Sequence, residues 1–375
     1  MKIILGGDYY VSNTNDIPLI SGGIDSIFLN ADSTILNYEG PIFTSDGLKN
    51  QKTGPNLSQN PDSISYLRDR GVTALSVANN HFYDYGFSAL KSTLDHLEVN
   101  NISSLGYKEE RKSKEFVIEK GNIKLAVLAY AEEEWCGSAG ADISISLIDD
   151  IDILKDISRC KNEVDGVVII LHANNEYNSL PSPKLMKKCR FYIEEGACAV
   201  VVHHAHVISG FEIWENYPIF YGLGNFQFTM KSANPDWYEG LLLQLEFKKL
   251  SGGLEVDFSL YPTVVDQTSY DVSLAEGEQK YQIINQIHNN ALLMSSEKSL
   301  DASYHQFLQS KEYMYYEMLN PFYEKNKLMR LIGRFIVKLI LLDGVFKKML
   351  LNVLRCYSHR NAMIEIMQRL IYMGK

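Results

Sequence analysis

Three histidines stand within four residues of the sequence, in the stretch AVVVHHAHVISG from Ala199 to Gly210. The chain has nine histidines, so their concentration directly after a run of valines indicates a shared chemical role. In an extended strand, His204 and His206 project to the same side and His203 projects to the opposite side. Because imidazole is a common ligand of divalent transition metals, we expect His204 and His206 to bind metal and His203 to be structural.

Other polar side chains follow further apolar segments of the chain. They are Asp8 in LGGD, Glu39 in LNYEG, Asn79, Asn80 and His81 in SVANNH, and His172 in IILH. From Met1 to about Val265, short apolar runs alternate with amphipathic helical segments, which predicts an α/β fold with a mostly parallel component. The carboxyl ends of the strands in such a sheet lie at one edge, where ligands bind. We therefore expect these side chains to meet there.

This set of side chains suits a particular chemistry. Carboxylate, imidazole and amide groups together are typical ligands of Mn, Fe or Zn, and the lack of cysteine in the set argues against a structural zinc site. Two divalent metal ions bridged by a carboxylate are a common centre for hydrolysing phosphate esters, because the ions lower the pKa of a bound water. Each residue taken singly has a structural alternative: an Asp after two glycines is common in turns, and Asn-Asn-His can cap a helix.

Composition narrows the class of protein. The net charge of −10 at pH 7 argues against nucleic acid as a partner, since phosphate contacts need concentrated Lys and Arg. Five cysteines, an odd number without a Cys-x-x-Cys pair, indicate free thiols in a reducing compartment. The apolar run at the N-terminus is too short for a signal peptide, so we expect a cytoplasmic protein.

The pattern of the chain changes near Thr268. The segments YEGLLLQLEFKKL and GGLEVDFSLYPTVV flank Ser-Gly-Gly and predict a hairpin at the end of the α/β region. The residues that follow lack the alternation of a strand and are rich in Leu, Ile, Met, Tyr and Lys at helical spacing. We predict one domain over residues 1–268 and a helical appendage over residues 269–375.

The end of the appendage is basic, although the whole chain is acidic. From Glu324 to Lys375 there are eleven Lys and Arg against three Asp and Glu. Arg330, Arg334 and Lys338 lie four residues apart and share one helical face. The apolar residues largely opposite this face are Ile332, Phe335, Ile336 and Leu339. Such a helix binds a membrane surface or an acidic partner such as a synthase complex, unless it packs against its own acidic domain.

The motifs resemble, in order, those of the CapA family of capsule and poly-γ-glutamate synthesis, a branch of the calcineurin-like metallophosphoesterase superfamily. They are GGD, LNYEGP, SVANNHFYDYG, LHANNEY, VVVHHAHVISGFE and IFYGLGNFQF, between Met1 and Phe228. The resemblance implies a metallophosphoesterase-like four-layer α-β-β-α sandwich, to which the helical appendage is added at the C-terminus.

The resemblance also implies a role for each residue of the site. The implied metal ligands are Asp8 and His206 for the first ion, Glu39 as the bridging carboxylate, and Asn80, His172 and His204 for the second ion. His81 would donate a proton to the leaving oxygen, and Asp84 would orient it. The first motif of the superfamily is Asp-x-His, whereas here Asp8 is followed by Tyr9 and Tyr10, so the first ion has fewer ligands.

Two further residues match the family motifs. Glu176 in LHANNEY either contacts substrate or supports His172 as a hydrogen-bond acceptor, and we favour the second role. Asn225 in GLGNF is a pocket residue or a turn residue.

We therefore expect a dinuclear, metal-dependent, phosphoesterase-like hydrolase that acts in the synthesis of a capsular polysaccharide or of polyglutamate, on a phosphorylated or polymeric substrate. One alternative is a non-catalytic accessory subunit of a polymer-synthesis complex. Another is an amide or peptide hydrolase that uses the same metals on polyglutamate. The sequence favours an enzyme, located in the cytoplasm and peripheral on the inner face of the membrane.

Overall fold

In the computed structural model, the apolar segments of the sequence form strands that assemble into two large sheets. The structure describes residues 1–52, 54–110, 112–136, 142–320, 322, 325–342, 344–356, 358–360, 362–364 and 366–367. The chain divides into two compact units, Met1–Tyr304 and His305–Lys375.

All strands of the described residues belong to the first unit. In chain order they are β1 (Lys2–Tyr10), β2 (Ser33–Tyr38), β3 (Ala74–Ser76), β4 (Ser103–Leu105), β5 (Tyr107–Glu109), β6 (Lys112–Ser113), β7 (Phe116–Lys120), β8 (Ile123–Ala131), β9 (Ile143–Ile145), β10 (Gly166–His172), β11 (Ala199–His203), β12 (Phe211–Trp214), β13 (Tyr217–Phe220), β14 (Asn225–Phe228), β15 (Glu239–Leu250), β16 (Gly253–Val265) and β17 (Val272–Leu274).

In the residues that the structure describes, five α-helices lie between these strands in the sequence, and four follow the last strand. In chain order they are α1 (Gly22–Leu29), α2 (Asp62–Arg68), α3 (Gly86–Val99), α4 (Asp150–Cys160), α5 (Pro183–Glu194), α6 (Gly277–Met294), α7 (Glu297–Met318), α8 (Lys327–Leu342) and α9 (Gly344–Arg355). Helix α5 shows how the sequence sets a boundary: the Ser182 hydroxyl accepts a hydrogen bond from the backbone N–H of Leu185, and Pro183 occupies the first turn.

Both large sheets mix parallel and antiparallel pairs. In the part of the chain that the structure describes, the first sheet has the order β17-β16-β15-β1-β2-β3-β4, with β14 also paired to β1. The second has the order β12-β13-β11-β10-β8-β7, and a small third sheet has the order β6-β5-β9. The predicted hairpin is confirmed, because β15 and β16 pair antiparallel from Glu239↔Val264 to Leu250↔Gly253.

Strand β10 shows why the central strands are continuously apolar. Val168 and Ile170 belong to the core between the two sheets. Val167 and Ile169 belong to a second core, in which the buried faces of α4 and α5 cover the outer side of the sheet. Because α1, α2 and α3 contribute buried residues to the core of the first sheet, the fold is the predicted four-layer α-β-β-α sandwich with C-terminal helices.

The first unit continues beyond Thr268. The short strand β17 pairs antiparallel with β16, and α6 contacts β12 and β16. The sequence missed β17 because three residues carry too little alternation to indicate a strand. The division into domains at residue 268 stays a prediction, and it falls inside the first compact unit.

The second unit is helical in the residues described. It contains the larger part of α7, from His305 onward, together with α8 and α9. Glu317 near the end of α7 forms ion pairs with Arg334 and Arg330 of α8, at 2.6 Å and 3.7 Å. In the described part of the chain, no helix is both long and apolar enough to cross a membrane.

Candidate metal centre

The carboxyl ends of β1 and β2 place two carboxylates and an amide side by side. Asp8 pairs in register with Asn37, whose Nδ2 donates a hydrogen bond to Asp8 Oδ1 at 2.7 Å. Glu39 follows directly after β2, and its side chain is fully buried. Among the described residues, Asp8 Oδ2 and both carboxylate oxygens of Glu39 find no hydrogen-bond partner.

A glycine lets a third strand approach this edge. A Cβ atom on Gly7 would lie 2.1 Å from the backbone oxygen of Gly224, which is a forbidden distance. The close contact allows β14 to begin beside β1, and Asp8 pairs there with Asn225. The Gly-Gly-Asp motif therefore serves the backbone approach as well as the carboxylate.

The second sheet brings imidazoles to the same place. His172 ends β10 and His203 ends β11, and the two residues are partners in the parallel register. His172 Nδ1 is 3.3 Å from Asn37 Nδ2. His172 Nε2 is 3.1 Å from Asn80 Oδ1 and 3.0 Å from His204 Nδ1. Three predicted ligands of the second ion thus converge on one another.

The predicted strand geometry of the histidine cluster is wrong. Strand β11 ends at His203, and the backbone then turns, with φ of 91° at His204 and 57° at His206. Both residues are in left-handed backbone, so strand alternation does not set their directions. His203 continues the alternation of β11 instead, and its Nδ1 lies 3.5 Å from Asp8 Oδ1. The expectation that His203 projects away from the site is therefore wrong.

His206 connects the two carboxylates. Its Nδ1 is 3.3 Å from Asp8 Oδ2, and its Nε2 is 3.7 Å from Glu39 Oε1. Nδ1 also lies 2.9 Å from Asn225 Oδ1, and Asn225 Nδ2 donates to the backbone oxygen of Trp237 at 2.9 Å. Asn225 is fully buried and therefore orients the imidazole of His206.

His81 approaches the centre from the loop after β3. Its Nε2 is 3.8 Å from Glu39 Oε1, and its Nδ1 is 2.6 Å from Asp84 Oδ2. Lys52 forms an ion pair with Asp84, and its Nζ is 3.0 Å from His81 Nδ1. The side chains of Lys52 and Asp84 are almost completely buried, which is unusual for a lysine unless it is paired. Asp84 thus lies where it can orient His81.

Glu176 does not support His172 as we expected. The two nitrogens of His172 face Asn37, Asn80 and His204, as described above, and Glu176 is exposed. Its charge still acts on the centre, because it contributes to raising the pKa values of Glu39 and His206. A role of Glu176 toward substrate stays a prediction.

Three residues of the site were missed from the sequence. Asn37 stands two positions before Glu39, near the end of β2, and a polar residue at a strand end indicates a site residue. Glu134, in the acidic run AEEEWC after β8, accepts a hydrogen bond from Asn80 Nδ2 at 2.9 Å, and its place at a strand end was also a signal. Lys52 lies in an irregular loop, and nothing in its neighbourhood marks it.

The buried carboxylates and the imidazole of His206 have pKa values shifted from their ordinary values. Burial raises the pKa of Glu39 well above its ordinary value, and the charges of Asp8, Glu176 and Asp84 add to this effect against the opposing charge of His206. Burial lowers the pKa of His206, but the charge of Glu39 and the contact with Asp8 outweigh it and raise that pKa to about 10. For Asp8, the nearby imidazoles of His203 and His206 outweigh burial and hold the pKa well below its ordinary value.

These properties fit a metal centre. Ligand atoms of Asp8, Glu39 and His172 all lie within 4.8 Å of one another. Buried polar atoms without partners are uncommon in folded proteins, and among the described residues those at this site include carboxylate oxygens of Asp8 and Glu39 that a cation would satisfy. Ligand atoms about 3 Å apart are also expected where each lies roughly 2 Å from a shared ion. The chain can therefore hold divalent cations through oxygen and imidazole ligands.

The fold and the site together define a class of protein, a two-sheet α/β sandwich that brings buried carboxylates and imidazoles from both sheets to one edge. Within that class, the chain belongs to the bacterial capsule synthesis protein family PGA_cap, whose model matches residues 3–230. The resemblance seen in the sequence is thereby confirmed.

Named relatives agree with this family. The chain is 31% identical to the "Capsule biosynthesis protein CapA" of Bacillus anthracis over 210 residues, which cover 53% of this chain and 51% of the relative. It is 30% identical to the "PGA biosynthesis protein CapA" of Bacillus subtilis over 235 residues, 61% of each chain. The matched region thus spans about half to three fifths of these relatives.

Two of the solved structures to which the chain is similar are a calcineurin-like phosphoesterase and a 5'-nucleotidase precursor. The calcineurin-like phosphoesterase YfkN of Bacillus subtilis has a TM-score of 0.46 at 14% identity, over 81% of this chain and 98% of that chain. A 5'-nucleotidase precursor of Thermus thermophilus has a TM-score of 0.44 at 13% identity, over 79% and 59% of the two chains.

Proposed function

We propose that this protein is a divalent-metal-dependent, phosphoesterase-like hydrolase that acts in the synthesis or processing of a capsular polysaccharide or of polyglutamate. The reaction is supported by one observation above the others: His81 Nε2 points at the unpaired, buried carboxylate of Glu39, 3.8 Å away. The names of the relatives from the two Bacillus species support the polymer. The substrate is a phosphoester of that polymer or of a precursor.

The proposed centre holds two ions of Mn, Fe or Zn. Asp8 and His206 would bind the first ion, Glu39 would bind both ions, and Asn80, His172 and His204 would bind the second ion. Bound divalent ions would supply an activated water and a clamp on the phosphoryl oxygens. The buried position of Glu39 supports its bridging role, because it faces both Asp8 and the imidazoles.

The chain itself supplies the proton for the leaving group. Asp84 accepts a hydrogen bond from His81 Nδ1–H, which directs Nε2 toward the reacting side. In the imidazolium form, His81 would donate from Nε2 to the departing oxygen; burial lowers the pKa of His81, against the contact with Asp84, which favours the charged form. Lys52 holds Asp84 as its ion pair and adds positive charge beside the site for an anionic substrate.

A test combines metal content with hydrolysis. We expect the full-length protein to contain two divalent ions per chain, to release phosphate or alcohol from phosphoesters, to lose this activity with a chelator and to regain it with Mn, Fe or Zn. Elemental analysis and a panel of phosphomonoesters and phosphodiesters measure both properties. Metal bound without hydrolysis of any phosphoester would contradict the proposal.

The same experiment separates the other candidate functions. One observation favours a non-catalytic accessory subunit: the first ion lacks the imidazole that the superfamily has after its first Asp. Tyrosines stand there instead and pack in the core, Tyr9 on Tyr38 with ring centroids 6.0 Å apart and Tyr10 on Phe228 at 5.0 Å. That role predicts no bound ion. Adding polyglutamate to the panel tests an amide hydrolase, which would shorten the polymer without releasing phosphate.

We further propose that α8 and α9 bind an anionic membrane surface. Support comes from the exposed apolar residues of α8, where Leu328 and Phe335 are 67% and 64% exposed. Three exposed lysines lie on the same two helices: Lys338, Lys347 and Lys348. Exposed apolar and basic side chains together fit an anionic lipid surface, whereas an acidic protein surface would use only the basic ones. Together with the free cysteines, this favours a cytoplasmic protein that is peripheral on the inner face of the membrane.

Flotation with vesicles tests this surface. We expect the full-length protein to float with phosphatidylglycerol vesicles and not with phosphatidylcholine vesicles. Replacing Phe335 and Leu339 together by Ser should lower the partition constant on the order of 100-fold, since two large apolar side chains contribute roughly 3 kcal/mol when buried. Leu250→Ser, at an exposed residue of β15, is the matched control and should float normally. Equal flotation of the double variant would end the proposal, and loss of dimers instead would assign the surface to a second copy of the chain.

A further inference from the structure

The carboxylate of Asp8 faces two imidazoles. His206 Nδ1 lies 3.3 Å from one oxygen of Asp8, and His203 Nδ1 lies 3.5 Å from the other. The side chain of His203 is 2% exposed and that of Asp8 is 1% exposed. His203 is therefore as much a part of the buried centre as the residues assigned to it from the sequence.

The facing nitrogen of His203 is unpaired. Among the described residues, His203 Nδ1 has no hydrogen-bond partner, and the same is true of Asp8 Oδ2 and both oxygens of Glu39. A structural histidine in a core normally satisfies its buried nitrogens. An unpaired imidazole nitrogen aimed at an acidic cluster is instead the arrangement of a ligand.

A rigid element holds His203 in this position. Val201 belongs to the core between the sheets, and Val200 and Val202 belong to the core on the opposite side of β11. The alternation places His203 on the side of Val201, toward the first sheet. Its neighbour in register is His172, which is itself directed at the centre. A residue on a central strand is positioned more accurately than one on a loop.

The first ion needs such a ligand. Without His203, the side chains that remain for it are Asp8, the bridging Glu39 and a single imidazole, that of His206. The second ion has two imidazoles and the amide of Asn80. His203, at the end of β11, brings a further imidazole from the second sheet to within 3.5 Å of Asp8.

We infer that His203 is a ligand, through Nδ1, of the metal ion held by Asp8 and His206. This inference rests on the proposed function, because it requires that the centre bind metal. It replaces the structural role expected from a strand that continued through His206, and it assigns an imidazole from β11 to the position that the motif at the end of β1 leaves unfilled.

Cobalt provides a direct test that does not depend on activity. We expect His203→Cys, loaded with Co²⁺, to show a thiolate-to-cobalt charge-transfer band in the near ultraviolet, because a cysteine at that position would bind the ion. The wild-type protein, whose five cysteines lie outside the centre, should show no such band. Val202→Cys is the matched control, since it stands on the same strand but faces the other core. We also expect His203→Ala to hold one ion where the wild type holds two.

The outcomes separate this inference from the proposed function. If the wild type binds two ions and His203→Cys shows no band while His203→Ala keeps both ions, His203 is an ion-pair partner of Asp8 and the inference is overturned. If the wild type binds no ion, the proposed function fails first. Circular dichroism of each variant identifies any loss of fold, and His203→Asn, a smaller polar change, then repeats the count of ions.

Discussion

Replacing Glu39 by Gln is expected to leave the protein folded but to remove most of its metal. Both carboxylate oxygens of Glu39 are buried and have no hydrogen-bond partner among the described residues, and Oε1 faces His206 and His81. The amide keeps the shape of the side chain but removes the negative charge that would bridge two cations in the proposed centre. We expect elemental analysis to find less than one ion per chain, compared with two in the wild type, and hydrolysis to disappear with the metal.

Thermal unfolding gives this variant a second signature. Metal at 100 times its Kd should stabilise the wild type by about 2.7 kcal/mol and the variant very little. Without metal, we expect Glu39→Gln to be no less stable than the wild type, because a buried carboxylate with a raised pKa costs more to bury than a neutral amide. Glu255→Gln, on the exposed side of β16, is the control and should keep both ions. Retention of two ions by Glu39→Gln would exclude a bridging role.

Replacing His81 by Ala is expected to have the largest effect on rate without an effect on metal. His81 reaches Glu39 only at 3.8 Å, and its other nitrogen is held by Asp84 at 2.6 Å. This arrangement suits a proton donor that faces the substrate, and such donors contribute roughly 10²–10⁴-fold to the rate. We expect kcat to fall within that range and the metal content to stay at two ions.

The leaving group sharpens this test. An alkyl phosphate needs a proton on the departing oxygen, whereas a nitrophenyl phosphate leaves as a stable phenolate. The loss in His81→Ala should therefore be much smaller for the nitrophenyl ester. His96→Ala, at an exposed histidine of α3, should change neither rate. An equal loss for both esters would exclude His81 as the proton donor, and a loss of one ion would make it a metal ligand.

Much of the site follows from where polar residues stand along apolar runs. Asp8, Glu39 and His172 were placed at strand ends from the sequence, and the structure brings ligand atoms of all three within 4.8 Å of one another. This works because the carboxyl ends of strands share an edge, whatever the details of packing. The roles of these residues as ligands stay predictions that the variants above test.

The histidine cluster shows where such reasoning fails. It assumed that the strand continued through His206, but the backbone leaves the strand after His203. A change of backbone conformation over three residues has no clear pattern in apolar spacing, so the directions predicted for His204 and His206 failed, and with them the structural role expected for His203. Lys52 was missed for a related reason, since its pairing with Asp84 joins residues of two separate loops.

The sequence by itself determined the α/β class, the strand ends that carry the candidate ligands and the basic, amphipathic end of the chain. Those features depend on local patterns: alternation, helical spacing and the order of motifs. Only the tertiary structure decided that His203 faces Asp8, that Asn225 orients His206 and that Lys52 is buried against Asp84. These contacts join residues far apart in the chain, and their geometry depends on how two sheets pack and where each strand stops.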